Sequence, residues 1–231
     1  MESPQGYKLI CTFGNLFFAH LGYVAQSKKN IIVAFRGTED IFDILKDIHF
    51  WQMNYPYVSE AGKTHKGFTQ IYRSVVRKQL IETLRGLSPA KKLFLTGHSL
   101  GGALATLAAV DVAVNTRFTR PFLCTFGCPR VGDSRFTSTV MEKTKECIQV
   151  VNDYDIIPLL PASFLTLQYR AVPKKLGLCF QLNNLLSNHK MIHYYQQLCR
   201  LSPPFATKLC KENPQLNPRI SLRTPHLLPQ T

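Results

Sequence analysis

The chain has 231 residues, 45% of them hydrophobic, which suits one α/β domain with a substantial core. No apolar run is long enough to span a membrane, and Met1 to Ile10 lacks the basic stretch and long apolar run of a secretory signal. A cytoplasmic or membrane-peripheral protein is expected, with secretion left open. The net charge of +14 favours anionic surfaces. No helix-turn-helix, zinc-finger or aromatic-basic pattern accompanies it, so nucleic acid is not an expected partner.

In chain order, Tyr7 to Phe35 reads as a meander of strands. Gly22–Gln26 and Ile31–Phe35 flank the polar turn Ser27–Asn30 as a β-hairpin. A helix is predicted from about Phe68 to Arg85, with Ile71, Val75, Leu80, Ile81 and Leu84 as its apolar positions and Gly86 and Pro89 at its end. Lys92 to Thr96 reads as a buried strand, and Ala103 to Val110 as a tightly packed helix of small residues. A strand over Pro121–Phe126, a helix near Ser134–Lys143, a strand over Cys147–Val151 and a helix from about Lys190 to Cys199 follow. Strands alternating with helices imply a mostly parallel sheet covered on both faces. From Leu201 the prolines Pro203, Pro204, Pro214, Pro218, Pro225 and Pro229 argue against long regular elements. The expected organisation is therefore one domain over residues 1–200 and a Pro-rich basic tail over 201–231.

Between the predicted strand and the helix of small residues lies Gly97-His98-Ser99-Leu100-Gly101-Gly102. A Gly-x-Ser-x-Gly turn from strand to helix is the nucleophile elbow of α/β-hydrolases. Side chains at 97 and 101 would collide as the backbone folds around Ser99, and the turn is expected to push the Ser99 hydroxyl into the open. The amide of Leu100, at the helix N-terminus, is aimed at developing negative charge. His98 should point the opposite way and pack.

A serine nucleophile needs a histidine base and a carboxylate that orients it. The run Val150 to Pro161 places Asp153 and Asp155 just past a strand, while Asp111 sits on the elbow helix and Asp133 in a turn. Downstream histidines are His189, His193 and His226, the last in the Pro-rich tail. Physical chemistry alone leaves two acids, Asp153 and Asp155, and two histidines, His189 and His193. The seven cysteines are odd in number and lack Cys-x-x-Cys spacing, so neither a zinc site nor a disulfide framework is expected, only free thiols in a reducing compartment.

Five ordered blocks resemble the class 3 lipases, the α/β-hydrolase group of fungal triacylglycerol lipases and their relatives. They are Val33–Glu39, His65–Phe68, Gly97–Gly102, Phe126–Asp133 and Val151–Pro161, and the resemblance runs from about Gly22 to Leu198. It implies an α/β-hydrolase fold with a mostly parallel central sheet, helices on both faces and a short lid helix. It also implies a triad of Ser99, Asp155 and His189, with Asp155 matched by the family's Val-Asn-x-x-Asp pattern and His189 by its His-x-Met-x-x-Tyr pattern. Thr38 and Leu100 would form the oxyanion hole, with Arg36 holding its loop by ion pairing, Arg130 as scaffold, and His65 and Phe68 as structure beneath the site. No metal or organic cofactor is required.

The implied activity is carboxylic ester hydrolysis, foremost on acylglycerols. Phospholipase A1 or a short-chain esterase is the alternative, and a catalytically silent interaction module on the same fold is a reading of a different class. From Pro161 to Thr231 nine Lys or Arg face one acid, Glu212, which favours contact with an anionic membrane surface. After the oxyanion loop, Ile41, Ile44, Leu45 and Ile48 recur at helical spacing, and Phe42, Phe50 and Trp51 extend the apolar surface. The resemblance places the family's lid helix here.

Overall fold

Alternation of side chains along a strand decides which face of a sheet each residue joins. The computed structural model of the protein describes residues 4–14, 20–38, 51–163, 168–173 and 175–213. These contain strands β1 (Lys8–Phe13), β2 (Gly22–Gln26), β3 (Asn30–Phe35), β4 (Gln52–Asn54), β5 (Lys63–His65), β6 (Lys92–His98), β7 (Phe122–Phe126), β8 (Glu146–Asn152) and β9 (Lys175–Leu178). Seven of them form one sheet in the order β1-β2-β3-β6-β7-β8-β9, and β4 pairs with β5 as a separate hairpin. The pairs β1–β2 and β2–β3 are antiparallel, and β3 through β9 run parallel.

The helices are α1 (Lys66–Ile71) and α2 (Arg77–Arg85), joined by a π-helical turn over Tyr72–Val76, then α3 (Leu100–Asn115), α4 (Ser134–Lys143), α5 (Leu185–His189), α6 (Met191–Leu201) and α7 (Pro203–Glu212). α3 lies against β3, β6 and β7. Every residue from Leu100 to Ala113 is buried, which is why the helix is built of alanine, glycine and short aliphatics. On this face Ile31, Val33, Leu93, Leu95 and Leu123 are sealed in the main core. A second, smaller core holds Val150, Leu178, Phe180 and Tyr194, with Met191 and Leu198 of α6 packed against it.

Two differences from the sequence reading have clear causes. The helix after β5 begins at Lys66, and its buried side chains include Phe68, Tyr72 and Val76, while Ile71 and Val75 are only half-buried. A π turn adds a residue to the helical repeat and rotates the apolar face, so a plain 3.6-residue period picks the wrong neighbours there. The second is α7, a ten-residue helix at the start of a tail where the prolines argue against long regular elements. Pro203 and Pro204 occupy its first turn, where a missing N–H costs nothing because no carbonyl precedes it in the helix. The lid residues Ile41, Phe42, Ile44, Leu45 and Ile48 lie outside the described residues, as does the tail from Pro214 onward.

Candidate active site

The elbow is set by backbone geometry. Ser99 sits between β6 and α3 at φ 56°, ψ −124°, a left-handed conformation that is strained for a residue with a side chain. It survives because its neighbours hold it. The Ser99 N–H donates to the Phe126 carbonyl at 3.0 Å, and its own carbonyl accepts from Gly102 and Ala103 at 2.9 and 3.2 Å. A Cβ at Gly97 would strike the backbone of Gly101, and one at Gly101 would strike the Phe35 carbonyl. Leu100 contributes the first N–H of α3, which no carbonyl within the helix can take up.

The Ser99 hydroxyl is not in the open. Ser99 is fully buried, and its Oγ has no hydrogen-bond partner among the described residues. The loop after β3 crosses directly over it: a Cβ on Gly37 would lie 3.3 Å from the Ser99 Cβ.

Asp155 follows β8 and is buried. Its Oδ1 accepts the Ile157 N–H at 2.9 Å, and its Oδ2 accepts from His189 Nδ1 at 2.6 Å and from the Tyr194 hydroxyl at 2.6 Å. A carboxylate only accepts, so the His189 proton resides on Nδ1 and its Nε2 is left with a free lone pair. That Nε2 is buried and has no partner among the described residues, like the Ser99 Oγ. Gly127, at φ +52°, closes the space on one side. A Cβ there would come within 2.9 Å of Asp155 Oδ2 and 3.1 Å of the His189 ring.

Tyr194 is the residue that pattern reading names without giving it a task. Burial first, and the Asp155 charge next, push its phenol far above the ordinary tyrosine range, so it stays a donor. Its oxygen in turn accepts the Asn152 N–H at 3.1 Å. Asn152 then accepts from the Phe180 N–H at 3.0 Å and donates to the Asn188 carbonyl at 3.3 Å. Asn188 accepts the Leu182 N–H at 2.7 Å. The segment that carries His189 is thereby tied to the end of β8 by amide side chains. The sequence signal was the tyrosine five positions after His189 and the asparagine three before Asp155.

His98 does more than pack. Its Nε2 lies 2.6 Å from the His189 carbonyl, an acceptor, so Nε2 carries the proton, and the two rings sit 4.5 Å apart. Burial, reinforced by the neighbouring His189, lowers its pKa to about 4, so it is neutral at pH 7. His65 behaves as structure: it caps α1 by accepting the Phe68 N–H at 3.4 Å, stacks on the Phe68 ring at 4.2 Å, and burial lowers its pKa to about 4.

The remaining candidates fall elsewhere. Asp153 is exposed and pairs with Lys175 at 3.0 Å, and the His193 Nδ1 meets Gln196 at 3.1 Å. Asp133 caps α4, accepting the Phe136 N–H at 2.8 Å. Asp111 is wholly buried and gathers Arg77, Tyr72 and Asn115. His226 lies outside the described residues. Arg36 is exposed at the strand end and has no acidic partner among the described residues. Arg130 reaches the Pro161 carbonyl at 3.4 Å, in keeping with a scaffold role. Thr38 is half-buried, on the wall of a cavity that His98 and His189 also line.

The seven cysteines form no disulfide, and Cys179 is exposed while Cys128, Cys147 and Cys199 are buried. No helix among the described residues is long and apolar enough to cross a membrane.

The family model described as Lipase (class 3) matches residues 32–165. The lipase of Rhizomucor miehei is 35% identical over 167 residues, 69% of this chain and 46% of its own length. A solved propeptide complex of a deletion mutant of that lipase superposes with a TM-score of 0.67 at 31% identity, covering 76% of this chain and 57% of its own. A secreted mono- and diacylglycerol lipase of Fusarium solani is 34% identical over 60% of this chain and 42% of its own length. For a chloroplastic phospholipase A1 of Arabidopsis thaliana the figures are 30%, 63% and 35%. The chain thus spans less than half the length of these curated relatives. Their printed locations, secreted and chloroplastic, give a cytoplasmic location no support.

Proposed function

This chain belongs to the class 3 lipase family, and from that premise we propose that it is a carboxylic ester hydrolase acting on acylglycerols through an acyl-enzyme on Ser99. The observation that carries the reading is the pair of buried, unpartnered atoms, Ser99 Oγ and His189 Nε2, in a fold that hydrogen-bonds His189 to Asp155. A buried hydroxyl and a buried ring nitrogen left open carry a cost in stability, and a catalytic role is one reason a fold retains such atoms. Such bonds are often long or unmade before substrate binds and tighten in the reacting complex.

In the proposed sequence His189 Nε2 takes the Ser99 proton as the hydroxyl attacks the ester carbonyl. The Leu100 amide and Thr38 hold the oxyanion, and losing one such donor costs about 10²–10³ in turnover. His189 then protonates the leaving alcohol, and water repeats the sequence on the acyl-enzyme. Asp155, with Tyr194 and the Ile157 amide behind it, keeps His189 in the tautomer with Nε2 free. The buried Ser99 calls for an opening motion, and the apolar stripe of Ile41, Phe42, Ile44, Leu45 and Ile48 supports a lid that turns outward at a lipid surface. Peripheral contact with an anionic membrane fits the nine cations against one acid after Pro161.

The test is Ser99→Ala assayed on a soluble nitrophenyl ester and on dispersed triacylglycerol. Both activities should disappear while the melting temperature stays within a few degrees, because the substitution removes one hydroxyl and little packing. Activity within tenfold of wild type rejects the reading. Phospholipase A1 activity is the second reading, favoured by the phospholipase relative and the basic C-terminal third. Phosphatidylcholine in the same assay separates the two.

A further inference from the structure

The alternation of the central strands leaves a second face that the main core does not use. On β3, β6 and β7 the residues Ala34, Thr96 and Phe126 are half-buried, whereas Val33, Leu95 and Leu123 beside them are sealed. At the carboxyl edge of this face, under the turn between α5 and α6, lies a cavity of about 730 Å³. That is within the range of about 300–1,000 Å³ for small-molecule sites.

Its walls have two characters. Phe126 from the sheet and Leu186, Met191 and Ile192 from α5 and α6 supply an apolar lining. Leu186 and Ile192 keep 54% and 44% of their surface exposed, so the apolar slot opens to solvent instead of closing as core. Arg36 and Lys190 line the same cavity, and no carboxylate is among its described lining residues. Both cations are exposed, and neither side chain has a hydrogen bond or ion pair among the described residues. Arg36 directly follows β3 and lines the cavity with Lys190. The histidine His98 beside it is neutral at pH 7, so the positive charge is carried by the arginine and the lysine.

From a slot with apolar walls and two cations that have no partner among the described residues we infer a binding site for an anionic amphiphile. The anion sits between Arg36 and Lys190, and the hydrocarbon chain lies along Phe126, Leu186, Met191 and Ile192. A carboxylate and a phosphate share the chemistry the cations select, and Arg36 can grip either in bidentate fashion. A fatty acid released by the proposed hydrolysis would be one such ligand, and a phospholipid headgroup with its chain another. Thr38 and His189 line the same cavity, so the inference rests on the hydrolase reading and deepens it by naming the charge and shape of the ligand taken up beside that site. Its occupant would rest against His98, the side chain bonded to the His189 carbonyl.

Titration calorimetry on the full chain tests it with probes that contain no carboxylic ester, so the result is independent of whether the protein hydrolyses esters. Decanoate and decyl phosphate, each below its micelle concentration, should bind at least tenfold tighter than decanol. Whichever of the two binds tighter identifies the preferred anion, and either ranking satisfies the proposal. Arg36→Gln with Lys190→Gln should erase the preference for the anions while decanol binding persists, which also shows the slot intact. Ile192→Asp should weaken both anionic probes. Equal binding of decanol to wild type overturns the proposal, as does an anion preference that survives the double variant. Inorganic phosphate binding as tightly as decyl phosphate overturns it too, because the chain would then contribute nothing.

Discussion

At the scale of single residues, two acids and two histidines differ in surroundings more than in sequence. Asp155 is buried with three donors, while Asp153 is exposed with one lysine. On the proposed mechanism Asp155→Asn and His189→Ala each lower turnover by several orders of magnitude, and Asp153→Asn and His193→Ala change it less than tenfold. Four variants on one soluble ester settle the point, and a larger loss at Asp153 or His193 means the partners are misassigned. His98 is a positioning residue by the same geometry, since it touches the backbone of His189 and not a reacting atom. His98→Phe keeps a ring but removes the donor. It should lower kcat about tenfold or more with little change in KM, whereas a purely structural ring would alter neither while the fold persists.

Short blocks made the neighbourhood legible in the sequence, because elbow, loop and strand ends are local in the chain. The second layer of support was not legible. Tyr194, Asn152 and Asn188 act through contacts formed between segments about 36 to 42 positions apart. Nothing in a local pattern reports which hydroxyl or amide will face a buried carboxylate. The burial of Ser99 was missed for a related reason, since it depends on where the loop from β3 crosses the elbow.

At the scale of elements, β3, β6, β7, β8 and the helix of small residues could be read directly as apolar runs bounded by turn residues, whereas the short, mostly exposed β9 carries no such run. The π turn of Tyr72–Val76 could not be read either, and it has a consequence for stability. It accompanies the burial of Tyr72, whose hydroxyl donates to Asp111 at 2.8 Å, and Arg77 meets the same carboxylate at 2.8 and 3.3 Å. Asp111 thus bolts the helix after β5 to the elbow helix. Removing Asp111 leaves the buried Tyr72 hydroxyl without its acceptor and Arg77 without its carboxylate, a cost of about 1–3 kcal/mol. Asp111→Ala should therefore lower unfolding free energy by that order in urea titrations. Asp153→Ala breaks only the exposed pair with Lys175 and should cost less than about 1 kcal/mol. Comparable losses in the two variants would mean that the Asp111 cluster is not a clamp.

For the whole molecule, composition shows a strongly basic chain, but not how the fold responds to acid. That response depends on which histidines are buried, and two of them stand out. His65 and His98 both have their pKa lowered to about 4, in each case first by burial. In the unfolded chain a histidine titrates near 6.5. Between those values the unfolded state binds protons that the folded state refuses, so stability rises with pH through the window. The contribution is complete above about pH 6.5 and is lost as pH falls towards 4. At about 1.4 kcal/mol per unit, each histidine accounts for a loss of about 3 kcal/mol across the window. Urea melts at pH 7.5, 6, 5 and 4.5 should show stability falling steadily on acidification. His65→Asn keeps an acceptor for the Phe68 N–H, and His98→Gln keeps a donor for the His189 carbonyl. Each substitution should flatten the acid limb, and the double variant should flatten it most. A wild-type curve that stays level from pH 7.5 to 4.5 would show that the two rings are protonated in the folded state.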